Sequence, residues 1–535
     1  MQAAADFIIV GAGSAGCAIA ARLTEDPSCR VLLIEAGGRD RNPYIKLPVG
    51  YARTMGDPSV DWCYTLGPEP HLNNRKIAYP RGKVIGGSSS INGEIYARGG
   101  RADYDGWAAQ GCAGWDWESV LPYFRRSEDF VGGGETRGAG GPLTVTYNNN
   151  FGSVADLMLE AGRQVGVPTV HDYNSPEAMG FGRGQFNIRN GRRWSCADAY
   201  LRPALRRPNL ELVMQAEVLR LAIGNGVAAG VEIRRDGISQ TLRANREVIL
   251  CAGAIGSPLL LERSGIGQPR RLAATGVPVV AEAPEVGENL QDHLIFYLRR
   301  RLSRGPSLRG ETGGLRVVVN ALNYALFRKG FLSGPPAHVV GYARAAPGEG
   351  PSDVQFFGAP VTYSLTSGKA GKSKVVFDSK SAMGLAFFQS RPVSRGHVHA
   401  VSSDSDAQPE IVANFMAAEE DQQTVLAGLR LARQIMHQPA FDKIGLEEMT
   451  PGPRKQSDED LLAFARKAGS PSYHTIGTCR MGADARSVVD TQLRARAIGG
   501  LRIADASVMP SMVGANTHAA SVMIGERAAD LIRGN

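Results

Sequence analysis

The chain has 535 residues, 43% of them apolar and 21% charged, a balance that excludes a long disordered tract and points to two or more globular lobes. Its net charge of +8 comes from Lys and Arg scattered in runs of no more than three, which excludes a dedicated nucleic-acid surface. Seven cysteines without a C-x-x-C pair exclude a disulfide framework and a zinc ribbon and fit reduced thiols in a cytoplasmic protein. No stretch approaches the ~18 uncharged apolar residues of a transmembrane helix.

The chain opens with "MQAAADFIIV", which lacks a basic segment and enters a strand at once, so no cleaved secretory signal is expected. "DFIIVGAGSAGCAIAARLTED" reads as a buried strand over Phe7 to Val10, a glycine turn, and a helix from near Ser14. Gly11, Gly13 and Gly16 form G-x-G-x-x-G: the first permits a tight turn, the second close approach of a pyrophosphate, the third packing of helix on strand. The helix start then offers free N–H groups and a positive dipole end to phosphates. A second strand, "RVLLIEAGG", ends at Glu35, an acid placed to accept hydrogen bonds from adenosine ribose hydroxyls. Strand, turn, helix, strand and acid in register predict a dinucleotide site, without choosing between NAD and FAD.

Next comes "YPRGKVIGGSSSINGEIYARGG" (79–100), whose glycines and serines let a backbone lie flat on a large ligand, while the interleaved Ile85, Ile91 and Ile95 are unlike a linker. "VGGGETRGAGGP" (131–142) reads as a loop, and "SLTSGKAGKSK" (364–374) as a basic, mobile lid. "NLELVMQAEVLRLAIGNGVAAGVEIRR" (209–235) holds strand runs around a "GNG" turn, and "REVILCAGAIGSP" is a buried strand entering a second glycine turn that closes on the cofactor. The last helix is expected from about Ala519 to Ile532, burying Val522, Met523, Ala529 and Ile532 on one face.

The 79–100 block resembles the first signature of the glucose–methanol–choline (GMC) oxidoreductases, which use FAD. "GAIGSPLLLERSGIG" (253–267) resembles the second signature, and "EVGENLQDH" (285–293) a third block, with Glu285 where a glycine is usual. "GLRIADASVMPSMVGANTHAASVMIGERAADLI" (500–532) is similar to the C-terminal block, so the likeness runs along the whole chain, nearest in pattern to bacterial choline, sorbose and polyethylene glycol dehydrogenases.

The resemblance implies an α/β fold, α+β overall. A discontinuous Rossmann-like FAD-binding domain (1–155, 205–300 and 480–535) would join a substrate-binding domain (156–204 and 301–479) built on an antiparallel sheet flanked by helices. It implies cofactor contacts from Gly11, Gly13, Ser14, Ala15, Gly16, Glu35 and Ala36. Further contacts are expected from Trp62, Arg81, Gly82, Val84, Gly86, Gly87, Ser88, Asn92 and Gly93, then Val218, Ala252, Gly253 and Ser257, and finally Asp505, Ala506, Asn516, Thr517 and His518.

It implies chemistry as well. Oxidising an alcohol moves a hydride to flavin N5 and a proton to a base, for which an imidazole has a suitable pKa. His474 of "SYHTIGTCRMG" matches the family's base and Asn516 of "GANTH" its hydrogen-bonding partner; His518 is the competing choice for that partner, at a position that contacts flavin. The other seven histidines are read as structural, and His397 and His399 are set aside as a metal pair because neighbouring ligands are lacking, so no metal is expected. Ile91 stands where some members carry a histidine bonded to FAD, which implies a non-covalent cofactor.

The expected partners are a primary or sugar-type alcohol and an acceptor that is oxygen, quinone or cytochrome, with oligomeric state left open. Choline is disfavoured because no cluster of aromatics and acids stands out. The alternatives are a cyanohydrin-splitting lyase on the same scaffold, a nicotinamide dehydrogenase, and a flavin-binding module without catalysis.

Overall fold

The structure is a computed structural model that describes residues 5–147, 152–303, 315–335, 337–367, 373–378 and 380–534. Two seven-stranded sheets organise it. In the first, the apolar strand Ala5–Val10 lies between Val31–Glu35 and Ile238–Leu250, parallel to both, with Leu210–Met214 outside the former and Leu501–Ile503 outside the latter. Phe7–Val10, Val31–Glu35, Val248–Leu250 and Leu501–Ile503 are buried on both faces, as a parallel sheet under helices requires. Ile238–Leu250 is long enough to do two things: its C-terminal half joins the parallel sheet, and its N-terminal half closes an antiparallel meander with Val227–Arg235 and Ala216–Gly224. The "GNG" turn joins those last two strands, with Asn225 and Gly226 at positive φ.

The helix Ser14–Leu23 packs against the last helix, Thr517–Arg533. A Cβ on Gly525 would stand 2.7 Å from Ala15 O, so glycine is what lets the two backbones approach. Val522, Met523, Ala529 and Ile532 are all buried, but the helix is buried on every side and not on one face alone. The buried Glu526 carboxylate ties it laterally, accepting from Arg22 Nε (2.8 Å), Arg126 Nε (2.7 Å) and the Tyr200 hydroxyl (2.7 Å).

The second sheet is wholly antiparallel and runs Leu446–Thr450, Leu294–Leu302, Ala382–Gln389, Val354–Ala359, Val339–Ala343, Gly180–Arg183. Helix Glu419–Met436 covers one face, with Val425, Leu429 and Ala432 buried. The fold class is therefore the one the sequence implies, but two boundaries differ. Leu294–Leu302 pairs inside the antiparallel sheet, so the nucleotide lobe ends before residue 300. Cys196 to Ala204, expected in the substrate lobe, pack into the nucleotide core, held there by Tyr200 on Glu526.

The 131–142 segment is a loop, pinned by the buried Arg137, which donates to Glu128 and Asp172. The expected lid at 364–374 is otherwise: Tyr363–Ser367 and Ser373–Phe377 pair as a hairpin, and 368–372 lie outside the described residues. Thr366, Val375 and Val376 are β-branched and suit strands. All seven cysteines are free.

Candidate active site

One cavity of about 890 Å³ runs from Glu35, at the end of its strand, to His474, between the two sheets. At the Glu35 end every element is arranged to receive a nucleotide. The helix Ser14–Leu23 begins after Gly13 with no side-chain cap, so its first N–H groups face the cavity without a protein acceptor. A Cβ on Gly87 would lie 2.7 Å from Gly13 Cα, at a φ of +53°: the two glycine backbones touch, and a flat ligand passes where side chains would otherwise stand. Glu35 accepts from Ala12 N (2.9 Å) and Gly37 N (2.8 Å), leaving lone pairs for a ribose, and burial pushes its pKa up to about 7.

Midway, Glu94 lines the wall, fully buried. Its carboxylate oxygens have no hydrogen-bond partner among the described residues, although Arg193 Nε stands 3.3 Å away. Burial raises its pKa to about 7. Orphaned acceptors, an uncapped helix and a glycine cradle are what a long polar cofactor needs, and the residues fit FAD.

At the other end the segments 290–295 and 470–477 run side by side. Gln291 and Ile476 exchange backbone bonds (3.2 and 3.0 Å), Ser472 N donates to His293 O (2.8 Å), and Leu294 pairs with Pro471. Tyr473 turns through a positive φ of 63°, which brings the His474 N–H onto Asp292 Oδ1 (2.7 Å), where the His293 N–H also donates (2.7 Å). Asp292 is itself held by the Tyr79 hydroxyl (2.5 Å), and burial raises its pKa to about 6. One carboxylate thus fixes the backbones of two histidines.

Their imidazoles form a directed chain. Ser390 O can only accept, so the proton of His293 sits on Nε2 (2.9 Å) and its Nδ1 is an acceptor. The 2.9 Å bond between the two Nδ1 atoms therefore takes its proton from His474, whose Nε2 is left with a lone pair facing the cavity. Asn516 Nδ2 donates to that Nε2 at 3.0 Å. Asn516 is the N-cap of the last helix, yet its side chain makes no capping bond; Gln355 Nε2 donates to its Oδ1 (3.2 Å) and so orients the amide toward His474. Burial, with the neighbouring His293 and the Arg81 guanidinium adding, holds the His474 pKa well below the ordinary imidazole value. Burial takes His293 down to about 3.

The structure gathers most of the predicted positions on this cavity. Gly11, Gly13, Ser14, Ala15, Glu35, Ala36, Trp62, Arg81, Gly82, Gly87, Ser88, Asn92 and Gly93 line it, as do Val218, Ala252, Gly253, Asp505, Ala506, Asn516, Thr517 and His518. Four do not. Gly16 serves packing, since a Cβ there would meet Gly11 O at 2.0 Å; Val84 is buried and bridges to Gly38; Gly86 N donates to Ala12 O; and Ser257 Oγ donates to Asp505 Oδ2 (2.6 Å). They stand behind the wall and hold the residues that form it.

His518 shares a 3.1 Å bond with Ser14 Oγ, at the head of the nucleotide helix, and burial takes its pKa down to about 4. His293, read as structural from the sequence, touches His474 directly; its only sequence signal was its place in "ENLQDH". Glu94 and Gln355 were also missed. The His397–His399 pair does have carboxylate neighbours: His399 bonds Glu262 (2.7 Å) and Glu288 (3.1 Å), supplied from distant segments. Even so, no group of three such residues is set to hold a metal among the described residues.

Two family models described as GMC oxidoreductase match residues 5–295 and 392–525. The chain is 42% identical to an oxygen-dependent choline dehydrogenase of Sinorhizobium medicae over 99% of this chain and 96% of that one. Among solved structures it is similar to pyridoxine 4-oxidase from Mesorbium loti, with 31% identity, a TM-score of 0.89 and 99% of each chain covered. It is also similar to the formate oxidase of Aspergillus oryzae RIB40, with 25% identity, a TM-score of 0.91, and 100% of this chain and 98% of that one covered.

Proposed function

Because the chain belongs to the GMC oxidoreductase family, FAD-dependent enzymes acting on CH–OH donors, we propose that it oxidises a small alcohol with His474 as base and Asn516 as hydrogen-bond donor to the substrate oxygen. The observation that carries this assignment is the directed chain Ser390–His293–His474–Asn516, in which the unprotonated His474 Nε2 and the Asn516 amide meet on the cavity wall. When bound, FAD supplies the hydride acceptor for the alcohol carbon.

The protein residues handle the proton and the orientation. An alcohol oxygen that replaces the 3.0 Å bond between Asn516 Nδ2 and His474 Nε2 gives its proton to the latter and accepts from the former. The depressed pKa keeps His474 neutral at physiological pH, so it is ready to receive a proton. His293, fixed by the Ser390 carbonyl, keeps the other nitrogen of His474 protonated and so prevents the unproductive tautomer. None of the relatives named above is a lyase, and a lyase would need no hydride acceptor.

The cavity wall contributed by the antiparallel sheet presents Ile295, Tyr297, Phe357 and Phe388, with Arg299, ion-paired to Asp378 at 3.9 Å, as its charged group. Such a wall suits an alcohol with an apolar body, and a neutral primary alcohol is the first reading of the substrate. The names of the relatives favour choline and oxygen, and these are the second reading for substrate and acceptor. Anaerobic titration with a panel of neutral alcohols and choline checks both. Bleaching of the visible flavin band by a neutral alcohol is expected; bleaching by choline alone reverses the order of substrates, and no bleaching by any alcohol removes the reading.

Ile91 is buried on the cavity wall and offers no nucleophile, so the cofactor is held without a covalent bond. Acid precipitation is expected to release all the yellow chromophore into the supernatant. Colour retained in the washed pellet contradicts this.

A further inference from the structure

The helix Leu315–Phe327, "LRVVVNALNYALF", is inside out. Its polar residues Asn320, Asn323 and Tyr324 are the half-buried ones, and the Tyr324 hydroxyl reaches Lys46 O. Its apolar residues face solvent: Leu315 is 78% exposed, Leu326 72% and Phe327 66%, with Val318, Val319 and Leu322 each more than half exposed. In a water-soluble protein a contiguous face of this kind marks an interaction surface, because each leucine left in water forgoes about 1.5–3 kcal/mol of burial.

Three further observations identify what covers it. The sequence from Thr312 to Gly348 contains no Asp or Glu, while Arg316 stands in the first turn of the helix and Arg328 and Lys329 follow its last. All three are exposed, as are Arg189 and Arg192 of the adjoining hairpin, whose Gly191 abuts the Arg328 carbonyl. Thirteen residues span about 20 Å, short of the ~30 Å hydrocarbon core, so the helix cannot cross a bilayer. No helix among the described residues is long and apolar enough to do so.

We propose that the helix Leu315–Phe327 lies in the plane of an anionic lipid surface, its apolar face among the acyl chains and its flanking Arg and Lys on the headgroups. This is the composition of an interfacial helix, apolar on one side and basic at its margins. A second copy of the chain is the poorer occupant: in a symmetric pair the same basic margins would be set against each other. An anionic leaflet instead gains about 1 kcal/mol per basic residue near the surface. The chain leaves the helix through Phe331–Ser333 and reaches Pro335 and Ala337, which line the active-site cavity, so the docked face adjoins one wall of the substrate chamber.

The test is cosedimentation of the flavin-loaded full-length protein with vesicles of phosphatidylcholine alone or mixed with phosphatidylglycerol. The expected result is at least about tenfold more binding to the anionic vesicles, weakened by salt. The double substitution Leu322→Glu and Leu326→Glu should return binding to background while flavin content and alcohol-dependent dye reduction stay unchanged, since neither side chain touches the cavity. Arg328→Gln with Lys329→Gln should erase the preference for phosphatidylglycerol. Equal binding of wild type and the Leu variant, equal binding to both vesicle types, or no binding to either overturns the proposal. So does sedimentation of a wild-type dimer that the Leu substitutions convert to monomer.

Discussion

His474→Ala is expected to slow anaerobic reduction of the bound flavin by alcohol about 10²–10⁴-fold, the loss of roughly 3–5 kcal/mol of barrier lowering that accompanies removal of a positioned base. Flavin content should be unaffected, because the side chain stands at the far end of the cavity from the uncapped helix. The pH profile distinguishes a base from a packing residue. Protonated His474 cannot accept a proton, so the wild-type rate falls as pH drops through its pKa. Burial places that pKa well below 6.5, so the acid limb should be absent around neutrality and emerge only in distinctly acidic buffer. The variant should show no such limb.

Asn516→Ala should cost less, in keeping with about 1–3 kcal/mol for a buried hydrogen-bond donor, since the base and its tautomer remain. Rapid mixing of both variants with alcohol across acid and neutral pH is the measurement. A His474→Ala rate near wild type with the limb intact assigns the proton to another group.

Gly87→Ala is expected to yield protein with flavin content reduced about tenfold or more. The added methyl would stand 2.7 Å from Gly13 Cα, and the two backbones that form the cradle would have to separate. Alanine at a positive φ also costs about 1–2 kcal/mol anywhere, so the comparison is Gly237→Ala, where φ is +77° and nothing lies within 4 Å. That control carries the same backbone strain without the contact and should keep its flavin. Absorbance ratios of the purified variants, after a check of matched thermal unfolding, decide the matter. Gly87→Ala with full flavin would show that the close approach of the two glycines is not what shapes the site.

The contrast between what could and could not be read from the sequence follows chain distance. The strand, turn and helix at residues 5–23 and the strand ending at Glu35 were legible because their signals are local: an apolar run, three glycines at fixed spacing, and an acid. The C-terminal helix was legible from its apolar spacing, two residues longer at the start than expected. Asn516 and His474 came from motif likeness. The residues that give them their orientation did not, because His293 meets His474 across 181 positions and Gln355 meets Asn516 across 161. No spacing rule spans such separations. The segment at 315–327 was invisible for another reason: an apolar periodic run reads as a core helix, and nothing in one sequence says which side faces solvent.

The order of strands in the nucleotide sheet has a consequence for the birth of the molecule. Ala5–Val10 is made before its neighbour Ile238–Leu250, more than two hundred residues later, and Leu501–Ile503 and the helix Thr517–Arg533 are made later still. At about 5–20 residues per second, synthesis of the chain takes roughly half a minute to two minutes. Throughout that time the helix Ser14–Leu23, whose alanines are shielded by Thr517–Arg533 in the finished protein, lacks its main helical partner. The nucleotide lobe can therefore close only after the segment Leu501–Arg533 has been made.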